Sequence, residues 1–395
     1  MQKYIFTILL TLSLLCSCSS SQNESNGAIS CKMDSIFSQI FPENLPGAIV
    51  MVTIDDSVVY NHGFGLARLD KPNTVSDSTM FNICSLSKQF SAVALLLLQE
   101  KGLISLDDKV TDYFPEFKNP IFKNITLRHL LSHTSGLPDT RPRNKSQWIK
   151  YTQKHPSIYS SGTDYRRYGN DVESIRFFES LDSLAFEPGS AYEYQNPTYQ
   201  LVYSIVEKVT GIDFDTWMRN NIFLPAGMDN TIYFSPEKTI PNMAHAYRAV
   251  NGKTIPGKYI SPDGKWEEYD YGEADFFPTK ADGGIYTSAA EFMKWQKALY
   301  ADKVISADSR KLAMSKIIPT DTPDTYYGLG FFINDTPGKP LKIYHTGDNG
   351  GFYTYQAAFP DKNISYLIFA TRQGWDRMQA AEEIDKILKN EGWLN

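Results

Sequence analysis

The stretch FNICSLSKQFSAVALLLLQEKG, residues 81–102, is apolar on almost every side from Leu86 onward, yet its first turn carries Ser85 and, three residues later, Lys88. Apolarity around the whole circumference marks a helix buried in a core. Gly102 stands where a helix C-cap glycine belongs, so the pattern predicts a helix over about 86–102. A lysine in its first turn stands where an apolar side chain would be expected.

Serine is a poor nucleophile until a base takes its proton. Lys88 lies at i+3 from Ser85, on the same helix face and about one turn away. A lysine in water has a pKa of about 10.4, and desolvation lowers it, which is how a buried lysine becomes a proton acceptor. The helix N-terminus adds a backbone N–H and a positive dipole end for a developing oxyanion. Ser-x-x-Lys alone is a common pattern that plain packing also explains, so it needs company.

Outward from this helix, the pattern places strands at both ends of the chain. GAIVMVTID and SVVYNHGFGLARL, separated by almost nothing, read as a hairpin that follows a short amphipathic helix, MDSIFSQIF. Residues 103 to about 240 read as mostly helical, through LRHLLSH, DVESIRFFESLDSL, TYQLVYSIVEKVTG and DFDTWMRNNIF. Between Leu137 and about Gly169 the apolar period is lost, which predicts a long loop or insertion; its Tyr-rich part, SIYSSGTDYRRYG, reads equally as a lid or a surface excursion. Residues 241–282 read as irregular. From 325, YYGLGFFIN, LKIYHTG, GFYTYQAAFP and ISYLIFATR read as strands, closed by an amphipathic helix over 376–391. The expected architecture is α+β: one antiparallel sheet built from both termini, flanked by helices, with an inserted, mainly helical subdomain. A site would lie in the crevice between the two parts.

The N-terminus, MQKYIFTILLTLSLLCSC, has an early lysine, a short apolar run, then small residues and cysteines. That is the form of a signal peptide, too short to span a bilayer. LCSC resembles a bacterial lipoprotein signal with Cys18 as the acylated residue, since Cys16 follows the bulky Leu15. Residues 1–17 are thus expected to be a signal, 18–30 a flexible, lipid-anchored tether, and 31–395 the folded domain, exported to the cell envelope. Net charge is −6, from 39 basic and 45 acidic residues with no basic run, so there is no electrostatic case for nucleic-acid binding. Beyond the signal only Cys31 and Cys84 remain, enough for one disulfide but not for a framework or a structural zinc site.

Two further motifs give Ser85 and Lys88 their company. Tyr194-x-Asn196 immediately precedes a predicted helix, and His345-Thr346-Gly347 ends a predicted strand in YHTGDNGGF. The three motifs, in this order and at these separations, resemble the serine β-lactamase-like family of class C β-lactamases, D,D-carboxypeptidases, D-aminopeptidases and related esterases. Further blocks carry the likeness: ITLRHLLSHTSGLPD, ADGGIYTSAAEFMKW and AAFPDKN.

The resemblance implies a β-lactamase/transpeptidase-like fold with Ser85 as the acylated nucleophile, and Lys88 and Tyr194 sharing its proton and passing it to the leaving group. It implies that Asn196 orients Lys88 and meets a substrate amide, that His345, Thr346 and Gly347 form the strand that binds substrate, and that the N–H groups of Ser85 and Asp348 make the oxyanion hole. Neither a metal nor an organic cofactor is implied, and the partner is a peptide or small-molecule substrate. Class C β-lactamases carry Lys-Thr-Gly where this chain has His-Thr-Gly, the form associated with peptidases and esterases. A histidine, mostly neutral at pH 7, anchors a carboxylate less reliably than lysine. The favoured substrates are therefore D-Ala-D-Ala-type or other D-amino-acid peptides, with an esterase, a weak β-lactamase or a non-turnover cell-wall sensor as alternatives. Gln195 replaces the usual small middle residue of the second motif, and its amide could reach into the cleft.

Bland readings apply elsewhere. His129 and His133 are spaced i, i+4, but Leu130 stands where a metalloprotease needs glutamate, which favours a structural role. Cys84, beside the nucleophile, reads as a buried packing residue. Gly283 and Gly284 read as serving tight backbone geometry, and the glycines of GDNGGF as letting a hairpin turn.

Overall fold

A computed structural model describes residues 17–139, 171–234, 239–255, 258–261, 264–268 and 279–395. Most of the Tyr-rich insertion and the signal segment lie outside these residues. The first element, α1, runs over Ser17–Ile40. Ile29, Met33, Phe37 and Phe41 recur every fourth position and are buried, forming one stripe along its face. Helix thus occupies the segment expected to be a flexible tether, because Ile29, one turn before Met33, extends the apolar stripe backward. Strands β1 (Ala48–Ile54) and β2 (Ser57–Phe64) follow as the expected hairpin. Asp55 and Asp56 turn it with φ of 49° and 61°, the pair of positive φ values that a two-residue type I′ turn demands.

Helix α2 spans Ser87–Glu100 and is preceded by a 3₁₀ turn over Cys84–Leu86. It ends as the glycine predicts. Gly102 N–H donates to Gln99 O at 2.9 Å and Leu103 N–H to Leu98 O at 3.0 Å, the Schellman pair that satisfies the last carbonyls.

The main sheet has eight strands, ordered Ile318–Pro319, Thr325–Tyr327, Phe332–Asn334, Lys342–Asn349, Phe352–Phe359, Ile364–Ala370, β1, β2. Every neighbouring pair is antiparallel. The two termini meet where β1 pairs with Ile364–Ala370, Val50 opposite Ile368. YYGLGFFIN, read as one strand, is two short strands that pair with each other through the turn between Tyr327 and Phe332. The stretch 241–282, read as irregular, contains small hairpins, including Tyr247–Ala249 paired with Trp266–Glu268. Three-residue strands are too short to show a period, so the sequence pattern does not reveal them.

Alternation across β1 divides its side chains between two cores. Ile49 and Met51 enter the larger one with α2, whereas Ala48, Val50, Val52 and Ile54 pack under α1 and the C-terminal helix Arg377–Asn390. The sheet is therefore covered on both faces, as its near-continuous apolar strands require. Helices Leu127–Leu131, Asp171–Glu179, Asn196–Thr210 and Phe214–Met218 form the region expected to be helical. Among the described residues no helix is long and apolar enough to cross a membrane.

Candidate active site

The turn that carries Ser85 is set by its neighbours in the chain. Met80–Asn82 pairs with Ile285–Ser288, and Ile83 N–H continues the pairing to Ile285 O at 3.0 Å. The Asn82 side chain then accepts Cys84 N–H at 2.7 Å. That bond accompanies φ of 55° at Cys84, a left-handed conformation that non-glycine residues adopt rarely. The sharp bend leaves Ser85 partly exposed at the mouth of α2 while Cys84 and Leu86 on either side are buried.

Lys88 is fully buried. Its ammonium has three N–H donors, and three oxygens surround it: Ser85 Oγ at 3.0 Å, Asn196 Oδ1 at 2.7 Å and the Asp282 carbonyl at 2.8 Å. The aromatic faces of Tyr194 and Tyr199 lie 5.0 and 5.5 Å from Nζ, where a ring quadrupole adds further attraction.

Tyr194 and Asn196 flank the start of the Asn196–Thr210 helix, whose first turn tolerates Pro197 because that position needs no N–H. His133 grips this segment. Its carbonyl accepts Glu193 N–H at 3.0 Å, its Nδ1 accepts Gln195 N–H at 3.1 Å, and its ring centroid is 4.2 Å from that of Tyr194. Burial, helped by the nearby Lys88 charge, holds the His133 pKa well below its ordinary value, so the ring stays neutral and Nδ1 stays an acceptor. His129 instead caps its own helix, Nδ1 accepting Thr126 N–H at 3.2 Å. Both histidines thus have structural work, and among the described residues no His/Cys/Asp/Glu group is placed to hold a metal.

The third motif reaches Ser85 from the sheet. Gly347 lies so close to the Ser85 turn that a Cβ would stand 2.2 Å from Thr354 Oγ1, 2.7 Å from Ile83 O and 2.8 Å from Cys84 Cβ. Thr354, opposite Gly347 in register, ties strand to turn by donating to Ile83 O at 3.1 Å. Thr346 is partly exposed and Asp348 exposed. The His345 ring is fully buried. Burial and the Lys88 charge lower its pKa to about 3, while burial raises the Tyr327 phenol, which remains a donor. The neutral tautomer follows: Tyr327 OH donates to Nε2 at 3.1 Å, and Nδ1–H donates to Thr346 O at 2.7 Å. His345 therefore offers the cleft no cation. Gln195 is buried too, with its backbone N–H held by His133.

The structure thus gathers Ser85, Lys88, Tyr194 and Asn196 around one ammonium and lays Gly347 against the Ser85 turn. It also shows residues that pattern reading missed. Asp282 enters through its carbonyl, which no side-chain motif encodes, although it lies in the ADGGIYTS block. Close packing of Gly284 shapes that loop: a Cβ there would stand 2.6 Å from Thr279 O. Arg377, whose Nη1 donates to Gly347 O at 2.7 Å, comes from the far C-terminal helix. Cys31 and Cys84 are both free, the first exposed and the second buried, and burial, with the Asp348 charge, pushes the Cys84 thiol well up.

The beta-lactamase family model matches residues 33–389. A penicillin-binding protein of Bacillus subtilis is 29% identical over 342 residues, covering 85% of this chain and 70% of the relative. A D-aminopeptidase of Gluconobacter oxydans is 29% identical over 340 residues, covering 85% of this chain but 57% of the relative. Among solved structures, the octameric penicillin-binding protein homologue from Pyrococcus abyssi superposes with a TM-score of 0.72 at 22% identity, over 95% of this chain and 79% of that one. With the two-sided antiparallel sheet and the buried lysine behind an accessible serine, these likenesses identify the chain as a member of the beta-lactamase family of serine hydrolases.

Proposed function

We propose that this chain cleaves an amide or ester bond through an acyl-enzyme on Ser85, with D-Ala-D-Ala-type or other D-amino-acid peptides as its substrates. The observation that carries the reading is the trio of oxygens around Lys88. A neutral amine has two N–H groups and one lone pair. Asn196 Oδ1 and Asp282 O, at 2.7 and 2.8 Å, take two N–H groups, which leaves the lone pair directed at the Ser85 hydroxyl, 3.0 Å away. After proton transfer the same three oxygens satisfy the ammonium. The proton can therefore pass between Oγ and Nζ along one line without rearrangement, which is what a general base requires.

In the first step Ser85 Oγ attacks the carbonyl carbon as its proton moves to Lys88, and the N–H groups of Ser85 and Asp348 hold the oxyanion. The proton then passes, by way of the adjacent Tyr194, to the leaving nitrogen or oxygen as its bond to the acyl carbon breaks. Water, activated by the same groups, adds to the acyl-enzyme and releases the acid. The preference for D-amino-acid peptides is supported by the name of the G. oxydans relative, a D-aminopeptidase, and by the uncharged His345 in place of a lysine. The leader ending in Cys18 supports a lipid-anchored location in the cell envelope.

The test is to incubate the protein with a D-Ala-D-Ala peptide, a chromogenic ester and a fluorescent penicillin. Turnover lost in Ser85→Ala is the expected result. Turnover that survives the substitution removes Ser85 as nucleophile, and stable labelling without turnover of any substrate identifies a sensor instead.

A further inference from the structure

The third-motif oxyanion donor is the N–H of Asp348, which belongs to the same peptide unit as the carbonyl of Gly347. A trans peptide is planar, with its C=O and N–H pointing in opposite directions. Whatever bonds the Gly347 oxygen therefore acts on the Asp348 N–H from behind. Arg377 Nη1 donates to that oxygen at 2.7 Å. We propose that Arg377 is a positioning residue that orients and polarises the Gly347–Asp348 peptide, strengthening the Asp348 N–H as an oxyanion donor; this rests on the acyl-Ser85 reading above.

Several independent contacts hold the device in place. The guanidinium lies 3.8 Å over the ring of Tyr353, the residue opposite Asp348 across the hairpin. Arg377 begins the C-terminal helix, and that end is fixed by Asp376, which accepts Met378 and Gln379 N–H at 3.1 and 2.9 Å. Gln373 Nε2 bonds both Asp348 Oδ1 at 2.9 Å and Gly350 O at 2.5 Å. Asp348 is thus held by an amide, and Arg377 has no ion pair with a carboxylate among the described residues. Its charge bonds the carbonyl dipole directly and also acts on the Asp348 carboxyl, partly offsetting the upward push of burial on that group. A charge-assisted bond to a carbonyl draws electron density from the amide nitrogen and makes its N–H more positive, as in cooperative hydrogen-bond chains.

The experiment compares wild type, Arg377→Met and Arg377→Lys on a D-Ala-D-Ala peptide, which carries a free carboxylate, and on a chromogenic ester, which does not. Affinity for a phenylboronic acid, which forms a tetrahedral adduct on Ser85, is measured alongside. Removing an oxyanion donor outright costs about 10²–10³ in kcat, and weakening one should cost about tenfold. The expected result is that Arg377→Met lowers kcat on both substrates by the same factor, with KM nearly unchanged and boronate affinity reduced in parallel. Arg377→Lys should restore most of the loss. A rise in KM confined to the carboxylate-bearing peptide would show that Arg377 binds the substrate's acid group and would overturn the proposal, as would unchanged kinetics in Arg377→Met. Boronate binding that survives Ser85→Ala in otherwise wild-type protein overturns the acyl-enzyme reading itself, and the proposal with it.

Discussion

Lys88 Nζ and Asn196 Oδ1 lie 2.7 Å apart although 108 positions separate them in the chain. Lys88 lies in α2 and Asn196 opens the helix Asn196–Thr210, and both helices pack into the same large core. Their bond thus joins distant stretches of the chain and also fixes where the lysine head stands.

Replacing Asn196 separates those two roles. Asn196→Ala leaves Lys88 free to turn from Ser85, and misplacement of a reacting group by about 1 Å costs roughly 10²-fold in rate. It also removes a buried hydrogen bond, worth about 0.5–1.5 kcal/mol. Asn196→Asp should retain more stability than Ala yet lose more activity, because a carboxylate holds Lys88 as an ammonium. Urea unfolding and single-turnover acylation of both variants measure the two effects; equal losses in the two would refute this division.

Stability should fall on acidification below about pH 6.5. The folded His345 pKa is lowered to about 3, and that of His133 also lies well below 6.5. Between these values and 6.5 the unfolded chain binds protons that the folded chain refuses, so the free energy of unfolding falls as pH falls. Each histidine contributes about 1.4 kcal/mol per pH unit in that window. Denaturant titrations at pH 7, 6 and 5 should show this slope, with a shallower one in His345→Gln; a flat profile would argue against two neutral buried rings.

Gly347→Ala should damage both fold and function. The added methyl would meet Thr354 Oγ1 and the Ile83 carbonyl at 2.2 and 2.7 Å, so the strand must retreat from the Ser85 turn. Overpacking of this kind costs about 1–3 kcal/mol. A lowered urea midpoint together with slower acylation is expected, and a variant matching wild type in both would show that the strand can shift freely.

The two cysteines of the folded region should differ in reactivity. Cys31 is exposed, whereas Cys84 is buried with its thiol pushed well above the ordinary range, and only thiolates alkylate readily. Peptide mapping after brief iodoacetamide treatment should find Cys31 modified in native protein and Cys84 modified only after denaturation. Native alkylation of Cys84 would mean that the Ser85 turn opens.

Long elements with a clear period were legible in the sequence. The hairpin of β1 and β2, helix α2 with its Gly102 stop, and the last three long strands stand where periodicity places them. Short strands were not legible, since Thr325–Tyr327 and Phe332–Asn334 are defined by pairing with each other. The start of α1 was not legible, because polar composition argues for a tether, whereas Ile29 is buried beside the sheet.

For the site, the local patterns determined which side chains are candidates for chemistry: a serine and a lysine one turn apart, a Tyr-x-Asn before a helix, a His-Thr-Gly on a strand. Spacing within an element is enough for that, because helix and strand geometry are the same everywhere. Tertiary structure alone decided what those groups do to one another. The Asp282 carbonyl, His133 behind Tyr194, Tyr327 on His345 and Arg377 on Gly347 act through backbone atoms or across long separations. Backbone carbonyls are common to all residues and carry no letter in the sequence, so their roles appear only when the chain has folded around Lys88.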